Sequence, residues 1–317
     1  MDSVDYEELS SAGKSFAHLI PQVRKNAMLS REERLRKLSS EFWIGYPVAI
    51  EALKKLEWLY SHPRKQRMPN LLLVGPTNNG KTMIVEKFIR MVRESDEYQK
   101  RTQEPGDAEY LPVVHMQMPP DPTIARFYSM LLQATGAPCH GGMTIRYLEK
   151  VTLEIMKKIG LKMLIIDEVH NLLAGSAKQQ REFLNLLRML GNILKIPLVC
   201  LGTKEAYLAV RSDPQLENRF EPFPLYRWQI GEELNSLLAS FAVVLPLKKV
   251  SVLHSPKIAE LILEKSEGTI GEISRFLTEA ARLAIESGKE CIDEKILKQC
   301  SYSSPSERRR VFERKLL

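Results

Sequence analysis

The chain has 317 residues, of which 44% are hydrophobic and 27% charged, a composition typical of a globular protein with a sizeable core. No apolar run approaches the length that crosses a bilayer, and the acidic start MDSVDYEELS lacks the apolar segment of a secretory signal. The four cysteines stand far apart without a CxxC pair, which favours reduced thiols over disulfides or a zinc site. We therefore expect a cytoplasmic protein without a membrane partner.

The formal net charge is +7, and the positive residues are clustered. The clusters are VRKN, REERLRK, HPRKQR and, at the very end, SERRRVFERKLL. Such a balance favours polyanionic partners and makes nucleic acid a serious candidate. Each cluster taken alone is equally consistent with a solvated surface.

The first elements in chain order are helical. Residues 1–45 are predicted to form an N-terminal arm, with a helix that begins after Ser30 and ends near Phe42. Apolar residues at helical spacing in YPVAIEALKKLEWLYSHP predict the next helix. Residues 70–74 form a short apolar strand, the helix KTMIVEKFIRMVRE follows, and the polar stretch ESDEYQKRTQEPGDAE is expected to be a surface loop.

Strands and helices alternate after that loop. Strands are predicted in YLPVVHMQM, LKMLIID and PLVCLGT, with a short fifth one in EPFPLYRW, and helices around 122–134, 144–158 and 178–194. This alternation predicts an α/β fold, a parallel sheet with helices on both faces. After Trp228 the pattern is helical only. We therefore expect a core over 46–228, a helical lid over 229–300 and a basic tail over 301–317.

The stretch LLLVGPTNNGKT matches the phosphate-binding loop GxxxxGK[ST], with a buried strand before it and a helix after it. Its glycines let backbone amides point at phosphate oxygens, and the helix N-terminus adds a positive dipole end. A glycine-rich turn without a ligand is the rival interpretation. The predicted ATP-binding residues of the loop are Gly75, Pro76, Thr77, Asn78, Asn79, Gly80, Lys81 and Thr82.

Two carboxylates stand where the strand LKMLIID ends, Asp167 as its last residue and Glu168 as the next, at the sheet edge where the phosphate loop is also expected. Asp167 would hold Mg²⁺ through water together with the Thr82 hydroxyl, and Glu168 would polarise the water that attacks ATP. Thr203 ends the next strand and is a candidate sensor of the γ-phosphate. Capping of the following helix is the alternative role for Thr203.

Arg211 and Arg219 stand in RSDPQLENRFEPFPL, shortly before the last strand. An arginine there cannot readily reach the γ-phosphate of its own chain, but it could reach that of a neighbouring subunit. Arg219 is the predicted finger in trans, with an ordinary surface salt bridge as the alternative. His170 of DEVH resembles a helicase motif, yet no second helicase domain follows, so local packing is the expected role of His170.

Taken together, the phosphate loop, LIIDE, the strand-ending threonine, ENRF and the helical lid resemble the AAA+ ATPases. WIGYP, RMPNLLLVGPTNNGKTMIVEKF, LIIDEVHNLL and LGT are specifically similar to the TniB/TnsC family of transposition regulators, over roughly residues 30–290. The resemblance implies ATP-dependent homo-oligomers, as rings or helical filaments, on double-stranded DNA. It also implies recruitment or activation of a DDE transposase, with a TniQ-type adaptor or, in some systems, a CRISPR effector choosing the site.

By the same resemblance, Lys81 and Thr82 match the Walker A pair and Asp167 and Glu168 the Walker B pair, while Thr203 matches sensor 1 and Arg219 the finger. Tyr46 and Pro47 match the segment that lines the adenine pocket, with a hydrophobic helix start as the rival interpretation. The chain departs from the pattern in GTIGEISRF. Glu272 and Ser274 stand where a sensor 2 arginine is expected, and Arg275 comes one residue late.

Contacts with DNA phosphates are expected at the starts of two helices, since helix N-termini favour anions. The predicted residues are Thr123, Arg126, Thr144 and Arg146. Nothing resembles a base-reading module, so binding is expected to be independent of sequence. Two other functions remain open at this point: a helicase loader or replication initiator of the DnaC type, and a docking scaffold whose nucleotide is structural.

Overall fold

The computed structural model of the chain describes residues 16–38, 42–104 and 108–316. Parts of the predicted arm, residues 1–15 and 39–41, lie outside the described residues. The chain forms two compact units. One is Val48–Tyr226, and the other, called the helical unit below, combines the described parts of residues 1–47 and 227–317.

Five strands form one sheet within the described part of the chain. They are β1 (Asn70–Val74), β2 (Val113–Gln117), β3 (Met163–Asp167), β4 (Leu198–Gly202) and β5 (Phe220–Pro224). Their order in the sheet is β2-β3-β4-β1-β5, and each neighbouring pair is parallel. The predicted parallel α/β sheet is confirmed.

The helices, in chain order, are α1 (Pro21–Ala27), α2 (Arg31–Leu38), α3 (Pro47–Ser61), α4 (Lys81–Glu94), α5 (Asp96–Gln103), α6 (Ile124–Ala134), α7 (Ile145–Lys158), α8 (Ala177–Leu194), α9 (Lys204–Arg211), α10 (Pro214–Glu217), α11 (Glu232–Val244), α12 (Pro256–Ser266), α13 (Ile270–Glu286), α14 (Glu294–Gln299) and α15 (Pro305–Leu316). A 3₁₀ helix, Val169–Ala174, lies between β3 and α8. Among the residues described, no helix is long and apolar enough to cross a membrane.

Both faces of the sheet are buried under helices. Leu72 of β1 belongs to a core that also contains Phe127 of α6 and residues of α7 and α8. Leu71 and Leu73 point to the opposite face, because side chains alternate along a strand, and both are fully buried. Phe88 of α4 is buried outside the first core. Burial on both faces explains why the central strands β1, β3 and β4 are nearly continuous apolar runs.

The stretch after α4 differs from the expected surface loop, because residues 96–103 form helix α5. Ser95 caps this helix, its side chain accepting a hydrogen bond from the backbone N–H of Tyr98 at 3.3 Å. Asp96 and Glu97 occupy the first turn, where negative charge stabilises the positive end of the helix dipole. The loop prediction was wrong because it relied on polarity and overlooked this capping signal.

In the helical unit, a buried ion pair joins the N-terminal segment to the segment after α13. The guanidinium of Arg34 is 3% exposed and donates to both carboxylate oxygens of Glu290 at 2.7 Å. It also donates to the Pro246 carbonyl oxygen at 3.2 Å. The hydrogen bonds from Arg34 hold the pKa of Glu290 below its ordinary value.

Replacing Arg34 by alanine leaves the Glu290 carboxylate without its partner, which typically costs about 3–5 kcal/mol for a buried pair. We expect R34A to lower the free energy of unfolding by about 3 kcal/mol in urea titrations followed by circular dichroism. The exposed Arg36 of the same helix provides the matched control, and R36A should change stability by less than about 0.5 kcal/mol.

The same pair predicts a pH dependence. Because the pKa of Glu290 is lowered in the folded chain, its stabilising contribution is complete above the unfolded-state value of about 4.3. The contribution is lost as the pH falls through the lower folded-state pKa. In R34A this part of the acid destabilisation should disappear, and equal acid sensitivity of R34A and wild type would contradict the assignment.

Candidate nucleotide-binding site

The glycine loop joins the end of β1 to the start of α4, as the motif predicts. A side chain on Gly75 would place its Cβ 2.8 Å from the Leu225 carbonyl oxygen, so the close approach of the two backbones requires glycine. Gly80 has φ +83° and Asn78 has φ +60°, conformations that glycine and asparagine tolerate best. The residues at these three positions are therefore ones that the backbone conformation of the loop requires or favours.

Asn79 fastens the loop to the segment that follows β5. Its side-chain amide donates to the carbonyl oxygens of Leu225 and Tyr226, each at 2.9 Å, and the residue is 3% exposed. The sequence motif treats this position as variable, so the tethering role of Asn79 is found in the structure.

Lys81, the first residue of α4, is buried with its ammonium inside the loop. Nζ donates to the carbonyl oxygens of Gly75 at 2.9 Å and Pro76 at 2.8 Å. Burial lowers the pKa of Lys81, and the nearby carboxylates of Glu168 and Asp167 oppose that shift. The loop thus holds a largely desolvated cation where anionic oxygens would be favourable acceptors.

Asp167 ends β3 beside the loop and is 1% exposed. Its Oδ2 accepts a hydrogen bond from the Thr82 hydroxyl at 2.7 Å, and its Oδ1 accepts one from the Glu168 backbone N–H at 2.7 Å. Burial opposes ionisation, but the neighbouring His115 ring and these two donors hold the pKa of Asp167 below its ordinary value. An ionised carboxylate and a hydroxyl in contact are oxygen donors that fit Mg²⁺.

Glu168 follows in a left-handed conformation with φ 56° and ψ 36°, uncommon for a residue other than glycine. This turn sends its side chain to His170, with Nε2 and Oε2 2.9 Å apart. Sequence reasoning assigned His170 to local packing and missed this contact. The pattern DExH contains both residues, but their proximity depends on the unusual backbone at Glu168.

Thr203 directly follows β4, at the same edge of the sheet as Val74 and Asp167. It occupies the N-cap position of α9 without making a side-chain capping bond to the backbone. Instead its hydroxyl donates to the Glu205 carboxylate, and this bond is the main cause of the lowered pKa of Glu205. The structure thus brings Thr203 to the predicted edge, and its sensor role stays a prediction.

Arg219 lies at the opposite end of the sheet, where the strands begin. It directly precedes β5, whose Phe220 pairs with Asn70 at the start of β1, whereas Pro224 pairs with Val74 beside the phosphate loop. Its guanidinium donates to Asn192 Oδ1 at 2.8 Å. The length of a strand, roughly 15 Å at about 3.3 Å per residue, therefore separates Arg219 from the loop of its own chain. Arg211, by contrast, pairs with Glu217 at 3.3 Å.

Tyr46 and Pro47 stand at the start of α3, Tyr46 directly before the helix. Tyr46 is buried, and its ring packs edge-on against Trp228 with centroids 5.2 Å apart. Burial raises the pKa of Tyr46 to about 12. Pro47 is the first residue of α3, a position that suits proline. The proposed contact of this pair with adenine stays a prediction.

The four residues predicted to meet DNA lie at the starts of α6 and α7. Thr123 and Thr144 cap these helices, accepting hydrogen bonds from backbone N–H groups at 3.3 Å. Arg126 and Arg146 are exposed. The first residues of the two helices line the same groove, so the structure brings both helix starts to one surface. Binding of DNA there stays a prediction.

Glu272 accounts for the departure from the sensor 2 pattern. Its carboxylate is 10% exposed and accepts hydrogen bonds from Arg308 at 2.8 Å and from the Tyr302 hydroxyl. The Tyr302 ring also packs on Phe276, with centroids 4.8 Å apart. Glu272 therefore serves to attach the C-terminal segment, including the start of α15, to the helical unit.

The parallel sheet, the phosphate loop and the acidic pair at one edge define the class of the protein as a P-loop protein with the AAA+ ATPase fold. Solved structures that are similar to this chain include two proteins from Aeropyrum pernix and one from Pyrobaculum aerophilum. The Aeropyrum pernix ORC2 protein in its ADPNP–ADP complexes has a TM-score of 0.56 and 15% identity, covering 84% of this chain and 71% of its own. The Aeropyrum pernix ORC1 protein in complex with DNA has a TM-score of 0.54 and 14% identity, and the match covers 90% of this chain and 68% of the ORC1 chain.

The third structure, CDC6P from Pyrobaculum aerophilum, has a TM-score of 0.55 and 15% identity, covering 83% of this chain and 70% of its own. Identities this low support the shared fold alone. The chain belongs to the TniB family, because residues 34–230 match the model described as bacterial TniB protein. The predicted family and fold are both confirmed. A comparison with curated protein sequences finds no match.

Proposed function

We propose that this chain is an ATP-dependent, DNA-bound regulator of transposition. In this proposal it hydrolyses ATP with Mg²⁺, forms a ring or helical filament on double-stranded DNA, and recruits or activates a DDE transposase. A TniQ-type adaptor, or a CRISPR effector in some systems, chooses the site. The observation that carries the proposal is the convergence of Lys81, Thr82 and Asp167 at one sheet edge in a chain of the TniB family.

Binding of ATP follows from the loop. The ammonium of Lys81 now donates to two carbonyl oxygens of its own loop, and we expect the β- and γ-phosphates to replace them as stronger, charged acceptors. The backbone N–H groups of residues 76–80 and the start of α4 supply further donors. Thr82 and Asp167 would hold Mg²⁺, which when bound neutralises developing charge on the phosphates.

Hydrolysis is assigned to Glu168 as the general base. Water adds to the γ-phosphorus, the bond to the β–γ bridging oxygen breaks, and Glu168 takes the proton of the water. The contact of Oε2 with His170 Nε2 leaves Oε1 to accept that proton. Because a third group that orients a base makes proton transfer more efficient, His170 is a positioning residue. Thr203 would sense the γ-phosphate, and Arg219 would act on the nucleotide of a neighbouring subunit.

Binding of DNA is supported by the net charge of +7 and by the surface that α6 and α7 share. Thr123, Arg126, Thr144 and Arg146 supply capped helix starts and exposed guanidiniums there, groups that suit phosphate oxygens. The structurally similar ORC1 protein was solved in complex with DNA. We expect DNA binding without sequence preference. The transposase and the adaptor are included in the proposal because the chain belongs to the TniB family.

Lys81→Ala and Glu168→Gln separate binding of ATP from its hydrolysis. K81A removes the phosphate-binding cation and should abolish ATP binding measured by a fluorescent analogue. E168Q keeps the size of the side chain but cannot accept the proton, so it should bind ATP normally and turn it over at least about 100-fold more slowly. Wild-type turnover in E168Q would show that the base is assigned wrongly. ATP bound by wild type without any turnover would instead support the docking scaffold.

His170→Ala tests the positioning role. We expect kcat to fall about tenfold while KM for ATP stays unchanged, because the base remains present but is no longer oriented. His170→Gln, whose amide can also donate to Glu168, should recover part of the loss. An increase of kcat in H170A would contradict this role, since it would mean that His170 holds Glu168 away from the reaction.

Binding to duplex DNA should require ATP and weaken steeply with salt, because phosphate contacts release counterions. Fluorescence anisotropy over 50–200 mM salt, an interval over which proteins with several phosphate contacts lose about 10³-fold or more in affinity, measures both effects. Replacement of both Arg126 and Arg146 by alanine should make the DNA affinity less dependent on salt concentration.

Electron microscopy with DNA and a non-hydrolysable ATP analogue should show rings or filaments. Salt-insensitive DNA binding by monomers would contradict the proposal.

A further inference from the structure

A second group of cations lies at the amino-terminal edge of the sheet, away from the phosphate loop. Around Arg219 the surface forms an open hollow of about 870 Å³, lined by Lys65, Gln66, Arg67, Asn192, Lys195 and Arg219. This volume falls within the roughly 300–1,000 Å³ of ligand-binding clefts. We call this feature the amino-edge hollow. Its lining contains basic and amide side chains and no carboxylate.

Within the part of the chain that the structure describes, no acidic side chain forms an ion pair with the cations of the amino-edge hollow. Among the described residues, no carboxylate lies within ion-pairing distance of Arg67, Lys195 or Arg219. Arg188, which is close enough to act electrostatically on Arg219, bonds to the neutral side chains of Gln215 and Asn185. Burial, and then the charges of Arg67 and Arg188, lower the pKa of Arg219.

The acidic residues of the adjoining surface form ion pairs with other basic residues of the chain. Glu217 and Glu221 line an adjoining cleft, whose lining also includes Lys65, Arg67 and Arg219 of the hollow. However, Glu217 pairs with Arg211 at 3.3 Å, and Glu221 pairs with Lys55 at 2.6 Å. The mutual repulsion of the arginines is therefore left for an external anion to relieve. Asn192 accepts a hydrogen bond from the Arg219 guanidinium at 2.8 Å, so this one arginine is positioned before an anion arrives.

We propose that the amino-edge hollow receives the terminal phosphates of a nucleoside triphosphate bound to a second copy of this chain, with Arg67 contacting them beside Arg219. The proposal rests on the proposed ATPase function and extends it to a second arginine. The two sheet edges are opposite, so a head-to-tail contact between copies brings the carboxyl edge of one to the amino edge of the next. Two guanidinium groups in the lining of one concave site suit a compact polyphosphate.

A duplex backbone is the less suitable ligand for this site. Its phosphates follow an extended track along the strand, which requires contacts spread over a surface. Arg67, Arg219 and Lys195 instead converge on one hollow. Their contact with a single polyphosphate would neutralise several cations at once, whereas a passing strand would meet only part of the group.

Arg67→Ala provides the direct test in the full-length chain with duplex DNA. We expect kcat for ATP to fall about tenfold or more, with the affinity for a fluorescent ATP analogue unchanged, because the chain's own phosphate loop is intact. Arg219→Ala should behave in the same way with a larger loss. Arg90→Ala, which removes an exposed arginine of α4 outside the hollow, should leave turnover as in wild type.

Mixed copies show whether Arg67 acts across subunits. R67A retains a complete nucleotide site, and Lys81→Ala retains a complete hollow without binding ATP. Neither turns over ATP well alone, but an equal mixture should recover up to roughly one quarter of wild-type turnover, since neighbours assort at random in an assembly. Replacing K81A in the mixture by the double variant K81A/R67A should remove this recovery.

Several outcomes overturn the proposal. Unchanged turnover of R67A, or a mixture that assembles and binds ATP without recovery, shows that Arg67 does not act on a neighbour's nucleotide. Loss of DNA affinity in R67A with normal turnover assigns the hollow to duplex phosphates instead. A wild-type chain that neither hydrolyses ATP nor assembles with it overturns the proposed function as well, whereas an active wild type with an unaffected R67A overturns this inference alone.

Discussion

The parallel direction of all five strands is the constraint on which the rest of the structure depends. It sends every strand end to the same edge, so the phosphate loop after β1, Asp167 at the end of β3 and Thr203 after β4 meet there. The same constraint sends Arg219, which precedes β5, to the opposite edge. One chain therefore carries a phosphate-binding edge and a cationic edge, facing in opposite directions. A head-to-tail assembly is the arrangement that brings such edges together.

Buried charge organises the phosphate-binding edge. Lys81 and Asp167 are both nearly inaccessible, and burying charges is unfavourable unless hydrogen bonds replace the lost water. The loop carbonyls satisfy Lys81, and Thr82 and a backbone amide satisfy Asp167. These contacts hold the two side chains in place, and for Asp167 they also favour the ionised form, so little reorganisation is needed if phosphate oxygens replace the loop carbonyls. The strained backbone at Glu168 fits the same pattern, since it aims the predicted base at His170.

The helical unit shows how a motif comparison can miss what a residue does. From the sequence, Glu272 is a substitution at the position of an expected arginine. In the structure it is a buried acceptor for Tyr302 and Arg308, which come 30 and 36 positions later in the chain. The contact attaches the basic C-terminal segment to the rest of the helical unit. Polarity was equally misleading for α5, where the capping residue Ser95 outweighed a composition that resembles a loop.

The sequence by itself determined the strands, most helices, the phosphate loop and the acidic pair at the end of β3. These features depend on local chemistry: apolar periodicity, glycines at positions of close approach, and consecutive residues at a strand end. Only the tertiary structure decided that Asn79 fastens the loop to the segment after β5, that His170 faces Glu168, and that Arg67 stands beside Arg219. The first and third of these arrangements depend on strand order, which brings distant positions together, and the second depends on the left-handed backbone at Glu168. None of them is encoded in the spacing of residues along the chain.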